Sequence, residues 1–193
     1  TAEEADWLLN ASNKARTQLI EFLQTKDHGR QITVRVYQDG HSHAAIDSYS
    51  ILLAGNGWRT STLHHELTHV LAGWSSFAFR IEGVAVLAES RLAGSIMHPD
   101  RWWTLDAICI TTMEMVAFPG LEKLDKPGGF NVPPTSQPIT RLLFYRVAGS
   151  FTGYLVDTYG WEKYWELYQD GEYEEVYGRT LPELEQEWLA QLA

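Results

Sequence analysis

Apolar residues recur at helical spacing through residues 2–25 (Trp7, Leu8, Ala11, Ala15, Leu19, Phe22, Leu23), and Asp27-His28-Gly29 stops the pattern. Residues 31–37 alternate instead, with Ile32, Val34 and Val36 set against Thr33, Arg35 and Tyr37, which predicts a half-buried strand. Asp39-Gly40 is a turn signal, and residues 49–54 read as a second strand. Gly55-Asn56-Gly57 interrupts the chain, after which Thr60-Ser61-Thr62 offers N-cap hydroxyls to a helix over 63–74. Further apolar helices are expected over 79–93 and 99–117. Residues 119–138 hold five of the seven prolines and three glycines, and read as a long surface loop. Helical spacing returns over 139–159, stops at Gly160 and resumes over 161–168. Thr180-Leu181-Pro182-Glu183 has the form of a capping box opening a last helix through Leu192. The pattern predicts an α+β, mostly α-helical fold with a few strands near the front.

The length of 193 residues suits one domain, and no repeat or long linker divides it, so residues 1–193 are expected to form a single domain. With 45% apolar and 21% charged residues, the chain can bury a core and is not disordered. The formal net charge is -10, which argues against a nucleic-acid partner, since phosphate contacts need clustered Lys and Arg. Nine of the 25 acidic residues lie from Glu162 onward, opposed only by Lys163 and Arg179. The acidity therefore reads mainly as a solvated C-terminal helical face. The one cysteine, Cys109, sits in the apolar run Ala107-Ile108-Cys109-Ile110 and reads as a small buried hydrophobe. No apolar run reaches the roughly 18 residues of a transmembrane segment. The chain starts at Thr1 rather than Met, from which we expect a processed or excised chain and an extracytoplasmic or secreted setting.

His65-Glu66-Leu67-Thr68-His69 is an HExxH motif inside a predicted helix. Imidazoles at i and i+4 stand one turn apart on one face, where both reach one Zn²⁺ at about 2.0–2.1 Å. Glu66, one position after His65, falls beside such an ion and is placed to take a proton from water as general base. The apolar flanks Leu63, Leu67, Val70 and Leu71 set the motif in a packed helix and argue against a chance occurrence on a solvated face. His64 points about 100° away and reads as a hydrogen-bonded histidine outside the motif.

A catalytic zinc takes three protein ligands, so a third must lie elsewhere. Ala72 and Ser75 stand where a three-histidine motif would need Gly and His. Downstream, Glu82 and Glu89 sit seven apart on one otherwise apolar helical face, and either can serve.

His65-Glu66-Leu67-Thr68-His69 followed by Glu82-Gly83-Val84-Ala85 resembles the gluzincin metallopeptidases, especially the compact peptidase MA-like domains. Ala148-Gly149-Ser150-Phe151 with Tyr154-Leu155, and the terminal Leu181 to Trp188, resemble later helices of the same domains. The resemblance covers roughly residue 50 onward. It implies a zincin-like domain with a small N-terminal β-sheet and an active-site helix. It also implies one zinc ion held by His65, His69 and Glu82, with Glu89 supporting from behind. Glu89 stays the alternative ligand, because its interval from His69 is nearer to the usual gluzincin spacing. The resemblance further implies an oxyanion donor on the later helix, Tyr145, with Tyr154 as alternative. The carboxylate that often supports a zinc-bound histidine four residues after the third ligand is missing, since Val86 and Ala93 stand there. Asp47, Asp100 or Asp106 are the substitutes to consider. The segment with which aminopeptidases grip substrate amino termini is also absent.

Two functions follow. The first is a zinc-dependent peptidase acting on a peptide or protein substrate. The second is a zinc-stabilised binding or regulatory module within a larger protein, against which an intact Glu66 argues. A sugar-binding surface would rest on Trp102-Trp103 alone, and core packing is the better reading of most of the eight tryptophans.

Overall fold

Helix α1 (Ala2–Leu23) opens with a complete capping box between Thr1 and Glu4 and closes on Gln24 in the left-handed conformation. The structure, a computed structural model, describes residues 1–55, 62–93, 103–127 and 138–193. The N-cap hydroxyls of Thr60 and Ser61, the residues Asp100 and Trp102, and the later part of the 119–138 segment lie outside the described residues. The fold is α+β and mostly helical, with one small three-stranded sheet. The chain divides into two compact units, Thr1–Gly73 with Ala88–Ile96 and Trp74–Leu87 with Met97–Ala193. Among the described residues, no helix is long and apolar enough to cross a membrane.

In the first unit, Ala15, Leu19 and Leu23 recur every four residues and form the buried face of α1. Strands β1 (Thr33–Tyr37), β2 (His43–Ala45) and β3 (Ser50–Ala54) form a sheet in the order β1-β3-β2. β3 pairs in parallel with β1 and antiparallel with β2. Ile51 and Leu53, two residues apart on β3, point to one face and are fully buried. β1 departs from the expected half-buried alternation, because Val36 and Tyr37 are both exposed. It is an edge strand with one neighbour, so apolar alternation does not translate into burial there. β2 has only three residues and no β-branched side chain, and pairing with β3 alone makes it a strand. Helix α2 (Thr62–Ala72) packs on α1, β2 and β3, and ends at Gly73, which takes φ 79°.

Helix α3 (Ala78–Ala93) is one continuous helix whose residues up to Leu87 belong to the second unit. The rest of that unit is α4 (Leu105–Met115), α5 (Leu121–Leu124), α6 (Pro138–Tyr159), α7 (Trp161–Tyr168), α8 (Tyr173–Tyr177) and α9 (Leu181–Leu192). Phe151 of α6 is the centre of its core. Its ring lies 6.4 Å from Phe79, 6.0 Å from Tyr154 and 5.7 Å from Trp188. Such spacings suit stacked and edge-on aromatic contact. Trp188 of α9 donates its indole N–H to Ser150 Oγ at 3.1 Å, and Ser150 donates to Asp106 at 2.6 Å. Cys109 is fully buried, and burial pushes its thiol up to about 12, so it stays protonated and unreactive at neutral pH.

The expected surface loop at 119–138 is corrected in its described part. Leu121 of α5 is fully buried against α9, and its N–H donates to Glu185 Oε2 at 2.6 Å. A four-residue helix carries no periodicity, so proline and glycine content misled there. α8 escaped prediction for the same reason, although Tyr173 and Tyr177 bury at i, i+4 spacing. At α9 the predicted capping box is present, with Thr180 Oγ1 accepting from Glu183 N. Thr180→Ala should destabilise the protein by about 1 kcal/mol in urea denaturation, and an unchanged midpoint would show that α9 does not need its cap.

Candidate metal centre

The apolar spacing of α2 decides which way its polar residues point. Leu63, Leu67 and Val70 are buried, and with them go Glu66 and His69, which are 6% and 7% exposed. The rings of His65 and His69 lie 4.8 Å apart and edge-on, with 85° between their planes. The i, i+4 geometry thus gathers two imidazoles on one face of α2 beside a buried carboxyl group.

His65 Nδ1 lies 3.0 Å from Glu89 Oε2 of α3, and the two residues belong to the same unit. Glu89 is 1% exposed, and a carboxylate withdrawn this far from water needs partners. An ionised carboxylate only accepts, so a bond here is donated by Nδ1–H, which leaves Nε2 on the side of the ring away from Glu89. This is the arrangement in which a carboxylate orients a metal-binding histidine and raises its basicity. The carboxylate partner of His65 is therefore Glu89. Of the substitutes considered, Asp47 lies in a short helical turn after β2, and Asp106 accepts from Ser150.

His64 lies apart from this pair. Its Nε2 is 3.5 Å from Gln18 Oε1 of α1, and its carbonyl accepts from Thr68 Oγ1 at 2.7 Å. Burial holds its pKa below the usual histidine range, against a smaller opposing pull from Glu89, which keeps it neutral.

In the second unit, Glu82 lies on α3, half-buried and seven residues before Glu89. Seven residues are two turns, so both carboxylates leave the same face of the helix, about 10 Å apart along its axis. Tyr145 of α6 is half-buried, with its ring 6.2 Å from Phe144. Tyr154 is committed elsewhere. Its hydroxyl donates to Glu187 Oε2 of α9 at 2.8 Å, and its ring stacks on Phe151. Burial, reinforced by Glu187 and Tyr159, raises its pKa, so it stays a neutral donor within the core.

Sequence reasoning passed over Arg80, which is 3% exposed and paired with the buried Asp125. The signal was an arginine inside the apolar stretch Phe79-Arg80-Ile81, directly before Glu82.

The chain matches no protein-family model, no curated protein and no solved structure.

The tautomer of His65 gives a direct test of this geometry. In ¹⁵N-labelled protein without metal, side-chain NMR should find Nδ1 of His65 protonated and Nε2 bare, and Glu89→Leu should abolish that preference. A proton resident on Nε2 in the parent protein would contradict the arrangement.

Proposed function

We propose that this chain is a zinc-dependent peptidase of gluzincin type, built on a zincin-like domain. The observation that carries the reading is the bond between buried Glu89 and His65 Nδ1, on a helix that also supplies His69 and a buried Glu66. A histidine held through Nδ1 by a carboxylate has the correct nitrogen left for a metal, and a purely structural zinc site has no use for the adjacent Glu66.

His65, His69 and Glu82 would hold the ion. With Glu89 engaged by His65, Glu82 is the better third ligand, and the pair of carboxylates divides the work of binding and orienting. Two imidazoles and one carboxylate form a donor set that suits a catalytic zinc with one open position. When bound, such an ion lowers the pKa of water and polarises a carbonyl.

The remaining chemistry belongs to the protein's own groups. Glu66 takes a proton from the attacking water and hands it to the leaving amine as the peptide bond breaks. Its burial keeps that proton transfer out of bulk solvent. Tyr145 donates a hydrogen bond to the oxygen that gains charge at the tetrahedral stage. The Glu89 carboxylate holds the His65 ring in orientation throughout.

Metal analysis and cleavage of a peptide library test this together. The purified protein should carry one zinc, and Glu66→Gln should lower cleavage by roughly 10²–10⁴-fold with zinc content unchanged. His69→Ala should lose the metal. A protein that holds zinc and cleaves nothing that Glu66→Gln spares would instead be a zinc-stabilised binding module.

A further inference from the structure

We propose that Arg80 and Gly83 are positioning residues for Glu82: together they set the axial place and the rotation of α3 that present the Glu82 carboxylate to a metal. The inference rests on the ligand assignment proposed above and concerns how the third ligand is held.

Arg80 stands two residues before Glu82. Its Nε and Nη2 donate to Asp125 Oδ2 at 3.2 and 3.1 Å, and Nη1 donates to Gly171 O at 3.1 Å and to Leu167 O. The guanidinium lies over Phe77, with Cζ 3.6 Å from the ring centre. Tyr173 donates to the same Asp125 oxygen at 2.6 Å, and Tyr164 donates to the carbonyl of Arg80 at 3.0 Å. The first turn of α3 is thereby tied to the end of α5, to the end of α7 and to α8.

Stability alone explains such a network poorly. A buried ion pair returns little more than its desolvation costs, and apolar replacements are often as stable. A planar fork of donors, met at fixed angles by a carboxylate and two carbonyls, contributes direction instead.

Gly83, immediately after Glu82, supplies the second constraint. A Cβ there would stand 2.3 Å from Thr152 Oγ1 and 2.8 Å from Ala148 O of α6. The relation is reciprocal, since a Cβ on Gly149 of α6 would meet Val86 Cγ1 of α3 at 2.5 Å. α3 and α6 therefore approach at backbone distance and interlock in the turn that follows Glu82. Sliding or turning α3 would drive the backbone of one helix into side chains of the other. Glu82 is thus bracketed by a polar lock two residues before it and a steric lock one residue after it.

The test uses the whole chain, with zinc affinity measured by chelator competition and Co²⁺ as a spectroscopic substitute for zinc. Gly83→Ala and Arg80→Lys, read at a temperature where circular dichroism shows them folded, should bind zinc about tenfold more weakly or worse. Both should also shift the visible bands of the cobalt-loaded protein. Leu184→Ala, in the core at α9, should lower the melting temperature without moving either readout. Adding Thr152→Ala to Gly83→Ala should restore part of the affinity, because it removes the nearer of the two clashes. If Gly83→Ala does not fold, Asp125→Asn replaces it with the same expected outcome. Wild-type zinc affinity and cobalt bands in these variants would overturn the inference, as would losses no larger than those of Leu184→Ala. A parent protein that takes up no metal would overturn the ligand assignment and this inference with it.

Discussion

The hydrogen bond between Glu89 and His65 is the constraint from which the candidate site follows. A carboxylate at 1% exposure needs donors, and the imidazole that faces it through Nδ1 supplies one. The bond joins α2 to the last turns of α3 inside the first unit, so the HExxH helix is held in rotation as well as by its apolar face.

The second unit solves a different problem. Its core is aromatic, with Phe151 ringed by Phe79, Tyr154 and Trp188, and the Tyr154 hydroxyl and Trp188 indole N–H each find a partner. Large rings fill volume with few rotatable bonds, and their polar tips define orientation. Into this core runs the first half of α3, fixed by Arg80 and by the close approach at Gly83. Asp125 illustrates the cost. Burial raises its pKa, while Arg80 and then Tyr173 pull it down, so its charge depends on staying within the network.

Much of this was legible in the residue order. Most long helices were placed to within a few residues, since burial of a whole face leaves a repeating signature, as in Ala15, Leu19 and Leu23 of α1, whereas the helix expected from residue 99 begins only at Leu105, where Thr104 caps it. The capping box at Thr180 was equally plain, because its chemistry is local. The HExxH geometry was readable because i, i+4 spacing translates directly into side-chain proximity, and the ring pair of His65 and His69 shows it. What was not legible depends on partners distant in sequence. β2 exists through pairing with β3, α5 through burial of Leu121 beneath α9, and the edge position of β1 leaves Val36 exposed despite its alternating pattern. The Arg80–Asp125 pair joins residues 45 apart, and no spacing rule links them. Glu89 was visible as a carboxylate on an apolar helical face. Its engagement with His65, rather than a search for another aspartate, needed the fold.

X-ray absorption at the zinc edge of the loaded protein reads the ligand set itself. Two nitrogen neighbours at about 2.0–2.1 Å and carboxylate or water oxygens at about 2.0–2.2 Å are expected, and His65→Ala should lose the zinc or, at saturating zinc, one of the two imidazoles. A shell of oxygens alone, or one unchanged in His65→Ala, would contradict the assignment.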